Sequence, residues 1–100
     1  MTTTYRNQSD GIPIIDKAPN AVLDYLMQWT DWLAAGETIS GNVVTTDAGI
    51  VAAPVTATST TVTVWLSGGT AKVTYLVTVR ITTSAGRTDE RSFRVNVIKR

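Results

Sequence analysis

The chain has 100 residues and a formal net charge of +1, the size of a single domain with room for one core. It contains no Cys and no His, which excludes disulfides, Cys-based zinc sites, thiol chemistry and Ser-His-Asp or Cys-His catalysis. The near-neutral balance gives no ground for nucleic-acid binding, no apolar run reaches the length of a membrane span, and the polar start lacks the apolar core of a signal peptide. The composition therefore reads as a soluble protein of a reducing compartment, with no cofactor and with neither nucleic acid nor membrane among its partners.

The charges are unevenly spread. Before residue 67, Arg6 and Lys17 stand against Asp10, Asp16, Asp24, Asp31, Glu37 and Asp47. From there on, Lys72, Arg80, Arg87, Arg91, Arg94, Lys99 and Arg100 stand against Asp89 and Glu90. Either the two halves interleave so that opposite charges meet across strands, or the surface is dipolar and favours self-association of copies head to tail.

Taken in chain order, residues 1–12 are polar and read as a flexible N-terminal arm, with Tyr5 and Arg6 as its contact residues. Residues 13–100 read as the folded domain. Residues 12–16 form a short extended edge piece around Pro13, followed by a turn at 17–20. Residues 20–36 fit two patterns. As a helix, Asn20 caps it, Leu23, Leu26, Met27, Thr30 and Leu33 share a face, and Gly36 stops it. As a strand, Leu23, Tyr25, Met27 and Trp29 alternate with Val22, Asp24, Leu26 and Gln28. A lone helix would leave a Thr/Val-rich sheet short of a partner layer. The strand is therefore chosen for 22–29, with a single helical turn at 30–35.

Residues 38–46 read as a strand with a bulge or early turn at Gly41 and Asn42. A turn at 47–49 leads to an edge strand at 49–55 that Pro54 blunts. After a polar connection at 56–60, residues 61–66 place Val62, Val64 and Leu66 inward and Trp65 outward. Residues 67–71 form a loop, and the pair Gly68 and Gly69 lacks the Lys-Ser/Thr and the helix that a phosphate-cradling loop needs.

The clearest signal is 73–83, where Val73, Tyr75, Val77, Val79 and Ile81 alternate with Thr74, Leu76, Thr78, Arg80 and Thr82. It reads as a central strand flanked by 61–66 and 91–98. A hairpin loop with Gly86 at a positive-φ position leads into the last strand, which buries Phe93, Val95 and Val97. Strands recurring about every ten residues predict an all-β, two-sheet antiparallel sandwich of about seven strands, immunoglobulin-like or fibronectin-III-like.

The acids offer little chemistry. Asp24 with Asp31, or Asp89 with Glu90, lie near turns or outward strand positions, away from the apolar cleft that splits the pKa values of a catalytic pair. Asp47, Asp89 and Glu90 lack the alternating oxygen ligands of a calcium loop. Trp29 reads as the core tryptophan and Trp32 as a residue of the core rim. Trp65 points outward and needs a cover, which is either a partner protein or a loop or arm of this chain. Tyr75, entering the central strand after a glycine loop, fits a tyrosine corner whose hydroxyl ties that loop down.

Four segments, Val22-Leu-Asp-Tyr, Trp29-Thr-Asp-Trp-Leu-Ala-Ala-Gly-Glu-Thr-Ile, Val64-Trp-Leu-Ser-Gly-Gly-Thr-Ala and Arg80-Ile-Thr-Thr-Ser-Ala-Gly-Arg-Thr-Asp-Glu-Arg-Ser-Phe, carry a likeness. The chain resembles the small immunoglobulin-like proteins encoded among the structural genes of tailed bacteriophages and prophages, over residues 16–98. The resemblance implies a non-enzymatic virion protein made in the bacterial host cytoplasm. Head decoration or capsid stabilisation, with the major capsid protein as partner, is the leading expectation. A tail or neck component and a host-surface carbohydrate-adhesion module are the alternatives. The family carries no agreed site residues. Tyr5, Trp65, Arg87 and Arg91 are the expected partner contacts.

Overall fold

The computed structural model describes the backbone of residues 5–7 and all of residues 13–99. Among the described residues eight strands run in order: β1 (Tyr5–Asn7), β2 (Pro13–Lys17), β3 (Leu23–Gln28), β4 (Ile39–Thr46), β5 (Ile50–Ala57), β6 (Thr61–Gly68), β7 (Thr74–Thr83) and β8 (Thr88–Val97). They form a five-stranded sheet, β1-β2-β8-β7-β4, and a three-stranded sheet, β3-β6-β5. Every pairing is antiparallel except β2 with β8. The predicted two-sheet sandwich is present.

The period-two pattern explains the layers. On β7, Tyr75, Val77, Val79 and Ile81 are buried, and on β8 so are Phe93, Val95 and Val97. From the other sheet, Tyr25, Met27, Val62, Val64 and Leu66 meet them in one core. Tyr25 and Phe93 stack across the sheets, with ring centroids 4.0 Å apart and planes 11° from parallel, an arrangement that adds to the area both bury.

The strand reading of 22–29 holds, because a β3 strand pairs with β6 through all six of its residues. The expected helical turn at 30–35 is reduced to hydrogen-bonded turns: Trp32 and Leu33 both donate their backbone N–H to the Trp29 carbonyl. No helix forms there. The Gly41 bulge appears as a register shift between Ile39 and Gly41. Pro54 lies in the register shift between Ala52 and Val55 on the edge strand β5.

Two expectations need correction. β7 is central, but its neighbours are β8 and β4, whereas β6 is the middle strand of the other sheet. The link from β6 to β7 crosses between layers, and alternation alone cannot tell such a crossover from a hairpin. The piece around Pro13 is not at the edge either, since β1 pairs outside it and β8 inside it. The remainder of the expected arm, residues 1–4 and 8–12, lies outside the described residues.

The tyrosine-corner expectation holds in its chemistry. The Thr70 backbone N–H donates to Tyr75 Oη at 2.9 Å. A Cβ at Gly49 would stand 3.0 Å from Tyr75 Cε1, so the ring is held in a close slot. Tyr75→Phe keeps the packing and orphans that N–H, which costs about 1–2 kcal/mol. A urea titration of the two proteins at equal m-value checks it.

Lys17, expected to open a turn, instead closes β2 and is fully buried. Its Nζ donates to the carbonyls of Gly68 at 2.6 Å, Ala18 at 2.9 Å and Pro19 at 3.3 Å. Gly68 ends β6, so this ammonium ties the two sheets together. Burial pushes its pKa below the usual lysine value.

Candidate protein-protein interface

Where β3 leaves its sheet, Trp29 keeps the inward alternation of Tyr25 and Met27 and is fully buried. Its indole N–H donates to Asp89 Oδ2 at 2.8 Å. Arg91 lies over the ring, with Cζ 4.8 Å from the centroid. Its guanidinium donates to Asp89 Oδ2 at 3.3 Å and to the Gln28 carbonyl at 2.9 Å.

A second set lies beside it. Arg87 Cζ sits 4.1 Å from the Trp32 ring centroid. Arg87 Nε donates to Glu37 Oε2 at 2.9 Å, and Nη2 donates to Glu37 Oε1 and, at 3.3 Å, to the Trp32 carbonyl. Thr83 Oγ1 donates to Glu37 Oε2 at 2.5 Å and the Ala34 N–H to Oε1 at 2.9 Å. Glu37 has a side chain only 3% exposed. These sets dock the 29–37 connection onto the β7–β8 hairpin.

Hydrogen bonds from Arg87, then Thr83 and Ala34, hold the Glu37 pKa at about 2, down from an ordinary 4.5. The unfolded chain thus binds more protons between those two values. The contribution of Glu37 to stability is complete above pH 4.5 and is lost as pH falls through about 2. Glu37→Gln is expected to be less stable than the parent at about pH 6, with the gap closing toward about pH 2. Urea midpoints measured at several pH values check it, and a gap that stays constant contradicts it.

The four expected contacts do not form one patch. Arg87 and Arg91 sit at the hairpin end, engaged within the chain while still 45% and 40% exposed at their side chains. Trp65 lies on the outer face of the other sheet. The Tyr5 side chain lies outside the described residues. The acids are similarly dispersed: Asp89 serves Trp29 and Arg91, Glu90 lies opposite Arg80, and Asp47 Oδ2 accepts from the Leu76 N–H at 2.9 Å. Among the described residues, no three carboxylates gather as a metal site. Sequence reasoning missed Glu37 altogether, because nothing local marks an acid after a turn as buried.

The outer face of the three-stranded sheet is different in kind. Its strands contain no Lys or Arg, and Asp24 is their one charged residue. Asp24 lies directly opposite Trp65, and Val51 lies opposite Ser67, two residues along β6 from that tryptophan. Trp65 is 36% exposed, Val51 53% and Val22, just before β3, 61%. Of the basic residues of the second half, Arg80, Arg91 and Arg94 lie on β7 and β8 of the other sheet, with Arg87 just before β8. An exposed aromatic flanked by valines on a nearly uncharged face is the composition of an interface centre.

Residues 17–96 match the family model described as Podophage GP4 fiber-tail adaptor protein gp77. Comparison with curated proteins yields no match. The matched segment runs from the last residue of β2 to the penultimate residue of β8. The chain belongs to this family and is a phage virion structural protein, made in the cytoplasm of the infected host. The family description does not support the expected head-decoration role, and it fits the tail alternative better.

Proposed function

We propose that this member of the fiber-tail adaptor family joins a tail fiber to the tail of a podophage virion and catalyses no reaction. The observation that carries this reading is the family match, which spans nearly the whole sandwich. The chemistry agrees with it. The chain has no His and no Cys, and its most buried carboxylate is spent on internal hydrogen bonds. Its partners are then the fiber and a tail protein, in place of the major capsid protein. An adaptor needs two faces, and this sandwich offers two unlike ones: a charged face on the five-stranded sheet and a nearly uncharged one on the three-stranded sheet. Each contact need only be modest, because several copies acting together supply avidity.

Particles assembled without the chain test the proposal. The expected result is filled heads that lack fibers, restored when the chain is supplied in trans. Particles that keep their fibers while their heads become fragile would return the function to the capsid.

A further inference from the structure

A sheet ends in strands whose outward backbone groups lack a partner, and such edges pair with other chains unless something blocks them. Among the described residues the edges are β1 and β4 in the larger sheet and β3 and β5 in the smaller. Three of them carry a block. β1 is three residues long, β5 holds Pro54 within a register shift, and β3 carries the charge of Asp24. β4 is different. Ile39–Thr46 is eight residues long and contains no charged residue and no proline. Its bulge lies at one end, between Ile39 and Gly41, and the register from Gly41 to Thr46 is unbroken.

We propose that two copies of this chain pair antiparallel through β4, joining their five-stranded sheets edge to edge across a two-fold axis. The inference goes beyond the adaptor reading and does not rest on it. Self-complementarity selects a second copy as the occupant. An uncharged strand sets no like charges opposite one another when it meets itself, and a net charge of +1 adds little repulsion between copies. With one unblocked edge among the described residues of each chain, the pairing closes at two copies and builds no fibre. Side-chain alternation then restricts the axis. Residues directly opposite in an antiparallel pair point to the same face, whereas neighbours along a strand point to opposite faces. The axis therefore passes at a residue, and the unbroken stretch overlaps most when that residue is Val43 or Val44. In the first case Val43 meets its counterpart. In the second Val44 meets its counterpart and Val43 meets Thr45. Both registers bring β-branched side chains together, the kind that stabilises cross-strand pairs. Val43, 48% exposed in the single chain, is covered in either.

Sedimentation equilibrium of the purified full chain over a range of concentrations tests the pairing. The expected result is the mass of two chains at high concentration, falling to that of one on dilution. Val43→Glu places its carboxylate opposite Arg80 within its own sheet, but opposite or diagonal to the same carboxylate across the axis. It is expected to weaken dimerisation roughly tenfold while the diluted monomer keeps its unfolding midpoint. If that variant folds poorly, single cysteines decide, since the chain has none of its own. On oxidation, Val43→Cys or Val44→Cys is expected to give a disulfide-linked dimer, and Val51→Cys, exposed on the other sheet, none. The mass of a single chain at every concentration overturns the inference. So does a folded Val43→Glu variant that dimerises as tightly as the parent, or crosslinking at Val51→Cys with none at the β4 positions. Each of these failures leaves the adaptor reading standing, because fiber retention by the particles judges that separately.

Discussion

Trp29→Ala is expected to destabilise the chain by about 3–5 kcal/mol, the usual cost of truncating a buried aromatic to a methyl group. Trp29 heads the fully buried side chains by volume. Its removal opens a cavity at the end of the core and strips Asp89 of the indole donor. Arg91 loses the ring on which its guanidinium lies. Against a typical total of about 5–15 kcal/mol, a loss of that size leaves a large fraction of chains unfolded at physiological temperature. Trp29→Phe refills most of the volume without the N–H, and is expected to recover roughly half of the loss. Urea unfolding followed by far-UV circular dichroism reads both values. Equal midpoints for the parent and the alanine variant would contradict the placement of this residue in the core.

Gly69→Ala ranks next, at about 2–4 kcal/mol, the sum of backbone strain and overpacking. The residue has φ +96°, and an added Cβ would lie 2.7 Å from Val97 Cγ2 and 3.4 Å from Tyr75 Cε2. Val97 is fully buried, and its branched side chain cannot swing away without emptying core. Gly86 provides the control. It has φ +83°, yet nothing lies within 4 Å of its added Cβ, so Gly86→Ala carries only the left-handed strain of about 1–2 kcal/mol. The two variants, unfolded side by side, are expected to differ by at least the packing share. If they lose stability equally, the close approach of the loop to β8 is not what requires glycine at 69.

Much of this architecture is legible in the sequence because burial on a strand repeats every second residue. Tyr75, Val77, Val79 and Ile81 announce one face of β7, and Val62, Val64 and Leu66 one face of β6. Trp29 reads as core for the same reason, as does the outward direction of Trp65. Alternation does not reveal which strands pair. Alternation alone therefore sets β6 beside β7, whereas five residues of loop carry the chain across to the other sheet. Lys17 and Glu37 stay hidden for a different reason. Lys17 ends a strand and Glu37 follows a turn, positions where the ordinary expectation for a charged residue is solvent. Their burial depends on partners distant in sequence: Gly68 for Lys17, Thr83 and Arg87 for Glu37.

Arg87 and Arg91 show the same limit from the other side. Read along the chain, they are exposed cations near a hairpin and natural contacts for a partner. Folded, each lies on a tryptophan contributed by the connection between β3 and β4. Their internal pairing leaves the Trp65 face as the surface whose aromatic residue has no cation laid on it by its own sheet. Composition made this face visible only in part. The absence of Lys and Arg from β3, β5 and β6 becomes meaningful once those three strands are known to form one sheet.

Quantitative mass spectrometry of purified particles tests the central claim most directly, with the copy number of this chain scaled to both the fiber protein and the major capsid protein. The adaptor account predicts a small number of copies per particle that tracks the fiber and falls when fibers are removed genetically. A copy number comparable to the capsid subunit, unaffected by loss of the fibers, would contradict it.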